Sequence, residues 1–212
     1  MKNIASLSEG ISIVLGFVEE SARHVFYNSA AYFENGKLVY VHRKIYLPTY
    51  GMFDESRYFG SGKTIRAFDT NFGRVAILIC EDAWHPSLAF LASQDGADFL
   101  IIPSSSPYRG NSQPKSKLAI ERSWDSILTT YSITYNQFVV FSNRVGYEDG
   151  VNFWGGSRVI SPEGKILKKA PRSQSSIYSA EIDSRDIRRS RIATPTFRDE
   201  KTLLFQREFN RI

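Results

Sequence analysis

The sequence contains a single cysteine, Cys80, among its 212 residues. One cysteine excludes an internal disulfide framework, so we expect a reducing cytoplasmic location. No apolar run approaches the roughly 18 residues that a membrane helix needs, and no signal peptide follows residues 1–3. The three histidines, at positions 24, 42 and 85, are too scattered to predict a metal site, and no Cys-x-x-Cys pair supports a redox role.

The positive charge of the chain is modest. The formal net charge is +5, and arginines near the C-terminus contribute much of it. No recognised nucleic-acid-binding motif accompanies this charge, so we expect neither a nucleic-acid nor a membrane partner. With 42% hydrophobic and 14% aromatic residues, the chain can bury a full core. We expect one domain over residues 1–212.

The apolar run 75–79 predicts a strand that is buried on both faces of a sheet. It ends at Cys80, and helical spacing follows over residues 87–95. The N-terminus of a helix favours a thiolate and can bind an oxyanion, so this is a position expected for a nucleophile. Inert packing of the cysteine is the alternative.

Short apolar or alternating runs between Gly, Pro and Asn residues predict the other strands. The predicted strands are 11–19, 25–33, 37–41, 65–69, 74–79, 98–103, 138–142, 153–160, 165–168 and 176–182; the predicted helices are 87–95, 115–131 and 184–189, with a tail from residue 199. Strands alternate with helices in the middle of the chain and form hairpins at both ends. This order predicts an α/β protein with a mixed sheet.

A nucleophilic cysteine needs a group that lowers its pKa or accepts its proton. The spacing of His42 and His85 from Cys80 does not match a Cys-His protease. A cysteine that works with a lysine and a glutamate is a further possibility. There the lysine stabilises the anion of a tetrahedral intermediate and the carboxylate transfers protons.

Six groups of residues together resemble the nitrilase superfamily of carbon–nitrogen hydrolases. The segment Cys80-Glu81-Asp82-Ala83-Trp84, after its apolar run, resembles the nucleophile motif of that family. Residues 43–48, Arg-Lys-Ile-Tyr-Leu-Pro, with the loop 50–59, resemble its lysine motif. The remaining matches are 143–146, 153–157, 161–164 and 191–199. They follow the family's order over nearly the whole chain.

The resemblance implies an α-β-β-α sandwich and a catalytic Glu-Lys-Cys triad. Lys44 falls on the triad lysine and Cys80 on the nucleophile. Glu55 falls on a further glutamate that many members add beside the triad. The backbone N–H of Glu81 would help to bind the oxyanion, and Trp84 would line the pocket or pack beneath it.

The triad glutamate of the family has no counterpart here, because no Phe-Pro-Glu-like motif is present. We therefore expect a nitrilase-like domain that lacks its first strand and helix, roughly 60 to 80 residues by the usual domain size. Either Glu19 or Glu20 could stand in as the base. An uncovered sheet edge would favour self-association, so a homo-oligomer is expected.

The implied function is hydrolysis of a non-peptide carbon–nitrogen bond, of the amidase or carbamoylase type, through a cysteine thioester. The expected substrate is a small amide or nitrile, and no cofactor is required. Two alternatives are open. One is a non-catalytic assembly or binding protein with the same fold, since the triad glutamate is not found. The other is a glutaminase-like module that supplies ammonia to a synthetase.

Overall fold

The structure is a computed structural model that describes residues 1–108 and 118–212. The strands are β1 (Ile13–Glu20), β2 (Phe26–Glu34), β3 (Lys37–Arg43), β4 (Ala67–Thr70), β5 (Gly73–Ile77), β6 (Phe99–Ser104), β7 (Pro107–Tyr108), β8 (Phe138–Asn143), β9 (Val145–Glu148), β10 (Val151–Trp154), β11 (Arg158–Ile160) and β12 (Ile166–Lys169). The helices are α1 (Lys2–Leu7), α2 (Pro86–Gln94), α3 (Ala119–Tyr135), α4 (Arg185–Ala193) and α5 (Thr202–Arg211).

The largest sheet has six strands in the order β12-β11-β8-β6-β5-β4. Its centre, β5, β6 and β8, is parallel, and the flanking pairs are antiparallel. Helix α2 connects β5 to β6, and α3 lies between β7 and β8, as crossovers between parallel strands require. The prediction of a mixed α/β sheet is confirmed.

Strand β5 is buried on both faces, as its unbroken apolar run predicts. Val75 and Ile77 pack in one core with Tyr32 of β2. Ala76 packs in a second core with Trp124 of α3. Successive side chains of a strand point to opposite faces, so this one strand contributes to two cores.

The second sheet, β1-β2-β3, covers the face of the large sheet opposite α2 and α3. Helix α1 contacts β2 and β3. The Ser8 hydroxyl, just after α1, accepts a hydrogen bond from the N–H of Gly36 in the β2–β3 turn. The two stacked sheets, with α2 and α3 on one outer face, form the sandwich that the resemblance implies, and the short α1, which buries no side chain, contacts the second sheet at one end. A small third sheet, β7-β10-β9, adds to one end.

The predicted strand 153–160 is wrong, because the structure splits it into β10 and β11, which belong to different sheets. Gly155 and Gly156, with φ of 71° and 67°, make the turn between them. A Cβ at Gly156 would overlap the Trp154 ring. Only glycine enters the left-handed region at little cost, so this pair redirects the chain.

Two other predictions near the C-terminus are wrong. Residues 176–182 form no strand, and the Ile177 side chain is fully exposed. Strand β12 already forms that edge of the large sheet, which leaves this segment without a ladder. The predicted tail contains α5, and Phe205 of α5 lies 5.0 Å from the Phe90 ring. The predicted helix start at residues 115–117 lies outside the described residues. Within the described ranges, no helix is both long and apolar enough to cross a membrane.

Candidate active site

Cys80 lies where the chain leaves the carboxyl end of β5. It opens a short 3₁₀ turn, Cys80–Trp84, which leads directly into α2. Its φ of 47° places a non-glycine residue in the left-handed region. Such a conformation costs about 1–3 kcal/mol and is concentrated at functional sites. The half-buried side chain lies at a cavity of about 990 Å³.

Lys44 follows the last residue of β3 and lines the same cavity. Its side chain is 2% exposed, and its Nζ lies 2.7 Å from each carboxylate oxygen of Glu55. Glu55 begins a 3₁₀ turn, Glu55–Arg57, within the loop 50–59 that follows the lysine motif. A buried ammonium needs such a partner, because an unpaired charge there would be costly. The structure thus brings Lys44, Glu55 and Cys80 to one cavity.

The electrostatic environment of Cys80 differs from the sequence-based expectation of a favoured thiolate. Burial raises the pKa of the thiol, because a thiolate loses its hydration in this site. The Lys44 charge lowers the pKa, as does a hydrogen bond from the Ser105 N–H, whereas Glu55 raises it. Desolvation is the largest of these effects. The thiol is therefore protonated at neutral pH, and catalysis needs a base.

Glu81 contributes a second carboxylate to the cavity wall. Both of its oxygens accept from the Tyr50 hydroxyl at 2.9 Å, which ties the loop after β3 to the nucleophile turn. Burial and this carboxylate raise the pKa of Tyr50 to about 12. The phenol therefore remains a donor at neutral pH and the Glu81 carboxylate keeps its partner.

Trp84 both lines the cavity and packs beneath it. Its ring meets the ring of Trp124 edge-on at 5.4 Å. The Trp124 N–H donates to the Ser106 hydroxyl at 3.0 Å, which fixes the indole within the core. The two alternatives for Trp84 that the sequence left open are thus combined in one position.

The opposite wall of the cavity is formed by residues that the sequence analysis did not assign to the site. It comes from the carboxyl ends of β6 and β8, which lie beside that of β5, and from the residues that follow them. Asn143 Oδ1 accepts from the Ser106 N–H at 2.8 Å, which joins the two segments. Parallel strands place their carboxyl ends at one sheet edge, and this rule was the signal that could have found them. The residues on this wall are Ser104, Ser105, Ser106, Pro107, Ser142, Asn143 and Arg144.

The other titratable groups considered from the sequence lie elsewhere. Glu19 binds Arg43 and Ser29, and the Arg43 hydrogen bond holds its pKa below the usual value. Glu20 binds His24 at 2.7 Å. Neither glutamate lines the cavity. Across the described ranges, no group of His, Cys, Asp and Glu side chains could hold a metal ion.

Comparison with known proteins gives consistent matches. A family model described as Carbon-nitrogen hydrolase matches residues 5–192. A protein of Schizosaccharomyces pombe named as a probable nitrilase is 30% identical over 207 residues, which are 95% of this chain and 70% of that protein. A glutamine-dependent NAD(+) synthetase of Thermotoga maritima is 29% identical over 91% of this chain, which spans only 32% of the synthetase.

The fold agrees with a solved structure as well. The crystal structure of a carbon-nitrogen hydrolase from Helicobacter pylori G27 matches with a TM-score of 0.88 and 27% identity. The match covers 96% of this chain and 73% of that one.

Proposed function

Because this chain belongs to the carbon–nitrogen hydrolase family, we propose that it hydrolyses a small amide through a thioester on Cys80. The observation that carries the proposal is the grouping of Cys80, Lys44 and Glu55 at one cavity. The three residues come from separate segments of the chain. Their side chains supply a nucleophile, a cation and a carboxylate, the groups that acyl transfer to cysteine requires.

In the first step, Cys80 Sγ forms a bond to the carbonyl carbon of the amide. The thiol proton passes to the Glu55 carboxylate, because the thiol is protonated at neutral pH. The carbonyl oxygen becomes an oxyanion, stabilised by the Lys44 ammonium and the N–H of Glu81. Glu55 then returns the proton to the nitrogen, the carbon–nitrogen bond breaks, and ammonia or an amine leaves a thioester.

In the second step, water attacks the thioester carbon and gives a proton to Glu55. The carbon–sulfur bond breaks, the carboxylic acid is released, and the proton returns to Cys80. The family resemblance gives proton transfer to another glutamate and an accessory role to Glu55. We assign the transfer to Glu55 because, in residues 1–108 and 118–212, only Glu55 and Glu81 are cavity carboxylates, and Glu55 binds Lys44.

The substrate we propose carries a positive charge away from its amide group. The Glu81 carboxylate lines the cavity and is held there by the Tyr50 hydroxyl. A carboxylate in a partly desolvated wall attracts an ammonium group more strongly than it would in water. We therefore expect Glu81→Gln to raise KM for cationic amides by about tenfold, roughly the value of one charged hydrogen bond. It should leave KM for neutral amides of the same size nearly unchanged.

A glutaminase-like module is the second candidate function. The Thermotoga relative is named for its dependence on glutamine, and glutamine carries both a carboxamide and an ammonium group. Glu81 would bind that ammonium group. Ammonia release from glutamine, compared with release from an uncharged amide of similar length, separates this function from a general amidase.

The decisive experiment is to trap the acyl intermediate. Incubation with a panel of small carboxamides, followed by mass spectrometry, should place the acyl group on Cys80. Cys80→Ala should abolish both the adduct and hydrolysis. Hydrolysis that survives Cys80→Ala would refute the proposed nucleophile. A folded protein with neither adduct nor turnover on any amide would favour the non-catalytic alternative.

A further inference from the structure

The Asp82 carboxylate lies behind the cavity and receives four hydrogen-bond donors. Its Oδ1 accepts from the N–H groups of Ile45 and Tyr46, each at 2.9 Å. Its Oδ2 accepts from the N–H of Ile79 at 3.1 Å and lies 2.9 Å from Nε2 of His42. Because an ionised carboxylate can only accept hydrogen bonds, Nε2 of His42 carries the proton and donates the hydrogen bond to Asp82. Both side chains of the His42–Asp82 pair are completely buried.

These donors flank the two reacting side chains. Ile45 and Tyr46 directly follow Lys44, and Ile79 directly precedes Cys80. One carboxylate therefore bonds the lysine segment and the nucleophile turn, which are far apart in the sequence. It also closes the turn in which Cys80 holds its left-handed φ of 47°. Asp82 itself does not line the cavity, so its action on the thiol passes through its neighbours.

His42 belongs to the same segment of the chain as Lys44, residues 42–46. It lies near the end of β3, two residues before Lys44 in the sequence. Its Nδ1 meets no hydrogen-bond partner in the part of the chain that the structure describes. The bond to Asp82 is thus the polar contact that the structure gives this imidazole, and it sets the orientation of the carboxylate.

On the basis of the proposed function, in which Lys44 and Cys80 react together, we propose that Asp82, oriented by His42, is the positioning residue that holds Lys44 against Cys80. Without the carboxylate, three backbone N–H groups, one buried and two partly buried, lose their acceptor, and such groups are costly to leave unpaired. The segments then separate until water or another group satisfies them. The ammonium moves away from the sulfur, and its stabilisation of the thiolate weakens.

The test measures the rate of Cys80 alkylation by iodoacetamide as a function of pH. Asp82→Asn and His42→Leu should shift the midpoint upward by about one pH unit, which lowers the rate at neutral pH about tenfold. His42→Gln places an N–H donor near the position of Nε2 and should restore most of the rate. If His42 had a purely structural role, His42→Leu and His42→Gln would have the same alkylation midpoint. If Asp82→Asn does not fold, the two His42 variants decide the question.

Glu34→Gln is the matched control. Glu34 is also a buried carboxylate that accepts a backbone N–H, that of Asn71, but it does not line the cavity. The Glu34→Gln variant should be less stable than the wild type, but its Cys80 alkylation midpoint should be unchanged. If the Asp82 and His42 variants behave like Glu34→Gln, the positioning role is refuted.

The double variant Lys44→Met/His42→Leu separates this inference from the function on which it rests. If Asp82 and His42 act through Lys44, the double variant should react no more slowly than Lys44→Met. A full additive loss would refute action through Lys44. If Lys44→Met alone reacts at the wild-type rate, Lys44 does not stabilise the thiolate and the positioning role fails, whereas the proposed function fails only if Cys80 forms no acyl adduct. If Lys44→Met is slow but both His42 variants react normally, only the positioning role fails.

Discussion

Replacing Lys44 with methionine removes a buried ammonium and keeps most of the side-chain volume. The Lys44 side chain is 2% exposed, and its partner Glu55 is 20% exposed. Removing one member of a fully buried ion pair costs about 3–5 kcal/mol. Because water reaches a fifth of Glu55, its charge can be partly solvated. We therefore expect the free energy of unfolding to fall by about 1–3 kcal/mol.

The effect of Lys44→Met on catalysis should be larger than its effect on stability. An oxyanion that loses one donor costs about 2.7–4 kcal/mol, or about 10²–10³ in kcat. The thiol is affected in the same direction. The Lys44 charge lowers the pKa of Cys80 and Glu55 raises it, so the thiol pKa rises further when only Glu55 is left.

The assay is ammonia release on the best amide found, with urea unfolding measured in parallel. Lys169→Met is the matched control, since Lys169 pairs with the buried carboxylate of Glu121 and does not line the cavity. It should lower stability and leave kcat near the wild-type value. A folded Lys44→Met protein with kcat within about threefold of wild type would refute the role of Lys44 in oxyanion stabilisation.

Three further outcomes are expected. Glu55→Gln should lower kcat by about 10²–10⁴, the usual contribution of a general base, and a loss below about tenfold would leave Glu55 an orienting role only. Burial raises the pKa of Cys80, so its alkylation rate should rise with pH through a midpoint above the usual thiol value of 9.0; a lower midpoint in iodoacetamide kinetics would contradict this. Gly150→Ala should cost about 1–2 kcal/mol for its left-handed φ alone, and Gly156→Ala should cost more in urea unfolding because its Cβ also overlaps Trp154; equal losses would refute the overlap.

The sequence predicted the sheet well where periodicity and local chemistry agree. The apolar run before Cys80 and the predicted strands 25–33 and 37–41 agree with β5, β2 and β3 within a few residues. It failed where a tertiary contact decides the outcome. The local sequence around Gly155 is compatible both with a continuous strand and with a turn between two sheets. Likewise, α5 packs through Phe205 on a distant residue, Phe90.

The candidate site was also predicted only in part. Cys80 and Lys44 came from motif resemblance together with their strand-end positions, and the structure brings both to one cavity. Ser104 and Asn143 were missed because they become neighbours only when parallel strands align. The pairing of Asp82 with His42 was missed too, since forty residues separate them. Catalytic roles, a cytoplasmic location and a homo-oligomeric state stay predictions.

Strand β5 contributes side chains to both cores, and this has a consequence for amide hydrogen exchange. Val75 belongs to one core and Ala76 to the other. The central strand cannot open unless both cores loosen, so its N–H groups should exchange only through global unfolding. Cys80 lies three residues beyond the end of that strand. The turn that carries Cys80 should therefore keep its geometry until the same cooperative transition that exposes the amides of β5, so the alkylation midpoint of the thiol should stay constant at all lower denaturant concentrations.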